Sequence, residues 1–153
     1  MVSPSNSPSD TRGEQLSHAL SQVPSWHIGT PEERYLTEVT KTLSFRSPIS
    51  LIIVTHLIPN TVPFLRVLAR VAAELKVIPK PNSIDPSSLA SVKAFCEVLE
   101  IHRSDLEVPG MAAQIIEHCR NRVVVLDIGG YFAPCVGSID PMLARRLAGV
   151  VED

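Results

Sequence analysis

Two short apolar runs constrain this chain more than any other feature. Ser50-Leu51-Ile52-Ile53-Val54-Thr55 and Arg122-Val123-Val124-Val125-Leu126-Asp127 are apolar and β-branched at nearly every inner position. A strand with one wet face alternates polar and apolar residues, whereas a strand covered on both faces does not. Both runs therefore predict central strands of a parallel sheet, which in turn requires helical crossovers.

The rest of the chain supplies such crossovers. Thr30-Pro31-Glu32-Glu33 reads as a helix start, with a hydroxyl cap, a first-turn proline and a carboxylate three residues on. Tyr35, Leu36, Val39 and Leu43 follow on one face, expected to pack against the first strand. Asn60 is a candidate cap for a helix carrying Val62, Leu65, Val67, Leu68, Val71 and Leu75, with Pro63 in its first turn. A second short strand is predicted around Lys76 to Pro79. Asp85-Pro86 opens a helix through Leu89, Val92, Phe95 and Leu99. Pro109 opens another through Ala112, Ile115, Ile116 and Cys119, and Asp140-Pro141 caps a short one through Met142, Leu143 and Leu147. The expected fold class is α/β: a three-layer Rossmann-like domain with a mostly parallel sheet and helices on both faces.

At 153 residues the chain has room for one such core. Residues 1–25, dominated by Ser, Pro, Asn, Gln and Gly, are expected to be a disordered leader, and residues 26–153 the α/β domain. A net charge of -2 offers no basic footprint for nucleic acid. No apolar run approaches the ~20 residues that span a bilayer, and the N-terminus lacks the blocks of a signal peptide. The three cysteines, Cys96, Cys119 and Cys135, are odd in number and have no CxxC spacing, which suits neither a disulfide framework nor a zinc site and fits a cytoplasmic protein. His118-Cys119 with Cys96, Cys135 or His102 has no standard metal-ligand spacing, GxSxG is absent, and so is GxGxxG, so no metal, nucleophile elbow or nicotinamide site of the usual kind is expected. Mean hydropathy of +0.16 is high for a chain with a polar leader. It has two readings: apolar surface to be covered by another domain or subunit, or a core rich in valine and leucine.

Ligands of open parallel sheets bind beyond the carboxyl ends of the strands. Two segments fall there. Thr55-His56-Leu57-Ile58-Pro59-Asn60-Thr61 gathers an imidazole, an amide and two hydroxyls, and Asp127-Ile128-Gly129-Gly130-Tyr131 sets a carboxylate beside glycines that permit close backbone approach. Each also has a purely structural reading, the histidine as a local hydrogen-bonding group and the glycine pair as a turn.

Together, and in this order, these segments resemble the substrate domain of the S-adenosylhomocysteine hydrolase family. There a His-Met-Thr-Val-Glu-Thr segment follows a strand, similar to His56-Leu57-Ile58-Pro59-Asn60-Thr61, and a later Leu-Asp-Asp-Gly-Gly-Asp is similar to Leu126-Asp127-Ile128-Gly129-Gly130-Tyr131. A Gly-x-x-Glu-Glu-Thr-Thr-Thr-Gly segment of the family resembles Gly149-Val150-Val151-Glu152-Asp153 at its start. The resemblance spans residues 31–153. It implies a nucleoside-binding domain whose substrate contacts are His56, Asn60, Thr61, Asp127, Gly129, Gly130, Tyr131 and Asp153. The implied reaction is the reversible hydrolysis of S-adenosylhomocysteine to adenosine and homocysteine, in which NAD held by a second domain oxidises a ribose hydroxyl and so acidifies the neighbouring carbon.

The departures are chemical. The family's second Asp is Ile128 here and its third is Tyr131, while the Thr and Glu of its first segment are Ile58 and Asn60. An alkyl group cannot accept a proton. No catalytic residue is therefore assigned, and the chain is expected to need a Rossmann NAD domain or a second subunit for any activity. Two alternatives remain open: a noncatalytic binding or assembly module that kept the fold and lost the acids, and an enzyme acting on another nucleoside with Tyr131 or His56 as its acid-base group.

Overall fold

The computed structural model describes residues 30–43 and 45–152. The expected leader (1–25) and Asp153 lie outside the described residues. In chain order the elements are α1 (Pro31–Thr40), β1 (Ile49–Leu57), α2 (Thr61–Val71), β2 (Glu74–Ile84), α3 (Pro86–Lys93), β3 (Glu97–Val98), α4 (Arg103–Leu106) and α5 (Met111–Glu117). They continue through β4 (Arg122–Asp127), a 3-10 turn (Ala133–Ser138), α6 (Pro141–Ala144) and β5 (Leu147–Glu152).

The five strands form one sheet in the order β3-β2-β1-β4-β5, every pairing parallel. The two apolar runs lie at its centre, with Ile52 opposite Lys76 on β2 and Val125 on β4. Pleat alternation divides β1 between two cores. Ile49, Leu51 and Ile53 pack with Leu65 and Leu68 of α2 and Val92 of α3. Ile52 and Val54 pack with Leu106 of α4, with Ala112, Ile115 and Ile116 of α5, and with Phe132. Helices thus cover both faces, giving the α/β three-layer Rossmann-like arrangement. Ile52, Ile53 and Val54 are wholly buried, each contributing about 1.5–3 kcal/mol by transfer from water.

Several boundaries differ from those predicted. The helix opened by Asp85, whose side chain accepts from Ser88 N at 2.8 Å, ends at Lys93 rather than Leu99. Glu97 and Val98 instead form the edge strand β3, too short to show any period. Leu75 belongs to β2, not α2, and β2 extends to Ile84. The last helix stops at Ala144, and Leu147–Glu152 forms a fifth strand paired with β4. Arg146 sets up that pairing: its guanidinium donates to the carbonyls of Cys119, Glu117 and Asn121, and its own carbonyl accepts from Val123 N at 2.8 Å.

α1 begins as predicted, with Thr30 Oγ1 accepting from Glu33 N at 3.1 Å. Its apolar face does not pack on β1: Tyr35 and Val39 are exposed. α1 lies against α2, and the residue it buries is Glu33, whose carboxylate meets Arg70 at 3.0 Å and Arg66 at 3.5 Å. A helix docked on another helix through an ion pair has no use for its apolar stripe.

Candidate functional site

Strand order reverses between β1 and β4: from β1 the chain moves outward through β2 to β3, then returns across β1 to β4 and β5. In open parallel sheets such a reversal point, with helices leaving on opposite faces, is where a ligand crevice forms beyond the carboxyl ends of the strands, here those of β1 and β4. His56 lies at the end of β1 and Asp127 at the end of β4, with Val54 opposite Asp127 in register. The two predicted segments therefore flank the same reversal point on adjacent strands, and Glu152 ends the next strand, β5, opposite Asp127.

Asp127 is almost completely buried. Its Oδ1 accepts from Tyr131 N at 2.9 Å, and its Oδ2 accepts from Phe132 N and Ala133 N, both at 2.7 Å. Three charge-assisted bonds occupy the carboxylate and fold the loop around it. Asp127 shapes the crevice rather than lining it. Its loop includes Gly129 and Gly130, at φ +90° and +64°, a region that side chains with a Cβ avoid.

Torsion rather than space requires glycine here, because a Cβ would meet only the movable ends of long side chains. A Cβ at Gly129 would lie 2.5 Å from Lys80 Nζ, and one at Gly130 would lie 2.6 Å from Glu152 Oε1. The Lys80 ammonium, from within β2, and the Glu152 carboxylate, at the end of β5, thus rest directly on the glycine pair, one on each residue. Among the described residues neither glycine amide donates a hydrogen bond. Lys80 Nζ also lies over the Tyr131 ring at 5.3 Å from its centroid, as does the Arg103 guanidinium, again at 5.3 Å.

The first segment is less open. Thr61 Oγ1 accepts from Ile58 N at 3.2 Å and lies 2.8 Å from the carbonyls of both His56 and Ile58, closing the β1–α2 turn. Asn60 stands at the helix cap position but makes no side-chain cap bond, and it is exposed. The half-buried His56 imidazole makes no hydrogen bond among the described residues. This turn does not fit a dinucleotide: it carries Ile58, Pro59 and Pro63 where a pyrophosphate needs glycines and free amides. No step involving NAD is derived from this chain.

The amino end of the sheet also concentrates charge, to a different end. Lys76 on β2 is buried, 3.3 Å from Glu74 and bonded to Glu97 on β3. Glu74 Oε2 accepts from Ser50 Oγ at 2.6 Å and Arg120 N at 3.0 Å. Burial pushes the Glu74 carboxyl up, but the bonds from Ser50, Arg120 and Lys76 outweigh it and hold the group below the ordinary range. Burial likewise pulls the Lys76 ammonium down, and its two carboxylates overcome this and raise it. A cavity of about 500 Å³ opens beside this network, floored by Lys76 and Glu97 and walled by Leu99, Ile101 and Ile115. Glu74, Lys76 and Glu97 each have a partner within the fold.

The cysteines are free thiols, and burial raises Cys96 and Cys119 to about 11, far from the reactive thiolate. Among the described residues no three His, Cys, Asp or Glu side chains could share a metal ion, and no helix is long and apolar enough to cross a membrane.

Sequence reasoning missed Lys80, Arg103 and Glu152. Lys80 directly follows the predicted second strand, so the rule that singled out His56 and Asp127 applies to it equally. Glu152 could have been found by recognising Leu147–Glu152 as a strand. Arg103 carried no signal, because the two-residue β3 before it has no periodicity. No family model, curated protein or solved structure matches this chain.

Proposed function

We propose that the crevice at the carboxyl ends of β1, β4 and β5 binds an adenosyl-type nucleoside, in the manner of the substrate domain of an S-adenosylhomocysteine hydrolase. The observation that carries this reading is the left-handed Gly129-Gly130 pair, with both amides unspent, between Lys80 and Glu152. Bare backbone lets a flat ligand approach closely, and Glu152 supplies an acceptor for paired ribose hydroxyls. His56, with a free imidazole, and the exposed Asn60 amide offer polar contacts on the β1 side. In this reading Tyr131 supplies a ring edge, Thr61 and Asp127 act by shaping their loops, and Asp153 follows Glu152 as a further acid. Two of the segments that carry the family resemblance begin at the ends of β1 and β4, and the third runs along β5 to its end at Glu152, which supports treating them as one site.

The reaction class that goes with this ligand is the reversible hydrolysis of S-adenosylhomocysteine, completed by an NAD domain or a second subunit. Isothermal titration of adenosine and of S-adenosylhomocysteine into the chain tests the binding reading. Saturable binding is expected, weakened about tenfold or more by Glu152→Gln, a loss of about 1.4 kcal/mol. Absence of binding to either ligand overturns it.

A specific observation favours a second reading, a noncatalytic nucleoside-binding module. Asp127 is consumed by three backbone amides and its neighbour is Ile128, so neither offers a proton acceptor to a reacting carbon. Turnover of S-adenosylhomocysteine by the chain supplied with an NAD domain, and its loss in His56→Ala, would reject that reading.

A further inference from the structure

Resting on the nucleoside reading of this crevice, we infer that the ligand is phosphorylated: the site takes a nucleoside monophosphate, with its phosphate held by Lys80 and Arg103. Two cations converge on the single ring of Tyr131, each 5.3 Å from its centroid. A ring quadrupole holds an exposed cation only weakly. Lys80 has no carboxylate within ion-pair distance among the described residues. Lys76, four residues earlier on the same strand, has two. Arg103 has Glu107, but through Nε alone at 3.5 Å, between side chains that are both more than half exposed. Such a pair is weak and leaves the two terminal nitrogens of the guanidinium to donate.

A neutral nucleoside would leave both cations unspent, whereas a phosphate dianion matches their combined charge. The amide of Gly129, on which Lys80 rests, adds a donor in the same place, of the kind that loops offer to phosphates. Charge also orients the ligand. Glu152 on Gly130 repels a phosphate and accepts hydroxyls, so the phosphate lies towards β2 and the ribose towards β5. None of these three residues belongs to the segments that carry the family resemblance except Glu152, so the preference is a property of this chain.

The test is titration of adenosine, adenosine 5′-monophosphate and inorganic phosphate into the full chain, using wild type, Lys80→Met and Arg103→Met, with folding checked by circular dichroism. The monophosphate is expected to bind about tenfold tighter than adenosine, and its affinity to fall with added salt. Each methionine variant should remove most of that advantage, bringing the ratio of monophosphate to adenosine affinity towards one. Equal affinity for adenosine and its monophosphate overturns this inference while leaving the nucleoside reading intact, as does an advantage that survives both substitutions. Binding of inorganic phosphate without either nucleoside form, or binding of none of the three, overturns both.

Discussion

The two ends of the sheet handle charge in opposite ways. At the amino end, Glu74, Lys76 and Glu97 are tied to one another and to Ser50 and the Arg120 amide, beside a roomy cavity. At the carboxyl end, Glu152, the His56 imidazole and two glycine amides have no hydrogen-bond or ion-pair partner among the described residues, and Lys80 has only the Tyr131 ring. A buried charge must be paired or it destabilises the fold. Groups left unspent around exposed backbone cost little in water and remain available to a ligand. The cavity beside the amino-end network is therefore the poorer candidate, because Glu74, Lys76 and Glu97 are already committed to one another.

If this division is right, stability and binding should separate between the ends. Asp127→Ala should be the most damaging change, destabilising by about 3–5 kcal/mol in urea unfolding, since three loop amides lose a charged acceptor. A loss under about 1 kcal/mol would mean the loop is not organised by that carboxylate. Lys76→Ala should cost about 3 kcal/mol, at the low end for a broken buried pair because Glu97 is half exposed, and should leave nucleoside affinity unchanged. A loss of binding in that variant would break the comparison outright.

The amino-end network also predicts a pH dependence. Glu74 is held below its ordinary value of 4.5, so its contribution is complete above that value and is lost as pH falls through the lower, folded value. Lys76 is raised above 10.5, so its contribution is complete below that value and is lost as pH rises through the folded one. Thermal unfolding should therefore be flat through neutrality and fall in acid, with a shallower acid limb in Glu74→Gln. Gly129→Ala should cost about 1–2 kcal/mol through its left-handed torsion, and should weaken binding by displacing Lys80. The smallest stability effects, within about 0.5 kcal/mol, are expected for Lys80→Met and Glu152→Gln, the same changes that should most alter ligand affinity.

Much of the fold was legible because its signals are local. The runs at Ser50–Thr55 and Arg122–Asp127 could only be buried strands, and the caps at Thr30 and Asp85 start helices as read. What escaped depends on partners distant in sequence. Glu97–Val98 and Leu147–Glu152 are strands because β2 and β4 offer edges to pair with, and the apolar face of α1 gave no hint that Glu33 would turn inward to Arg66 and Arg70. The site was half legible for the same reason. The glycine pair and His56 announce themselves by position after obvious strands, and Lys80 follows the same rule, whereas Arg103 and Glu152 come near them only when the strands are brought side by side. Asp127 was legible as important, but its role was not, since no spacing rule shows a carboxylate turning back onto its own loop.

The most direct test is amide chemical-shift mapping of the isotope-labelled chain titrated with adenosine and its monophosphate. The account predicts saturable shifts at Lys80, Gly129, Gly130, Tyr131 and Glu152, and none at Glu74, Lys76, Glu97 or Arg120. Shifts clustered around Lys76 and the cavity beside it, with the Gly129-Gly130 turn undisturbed, would contradict it.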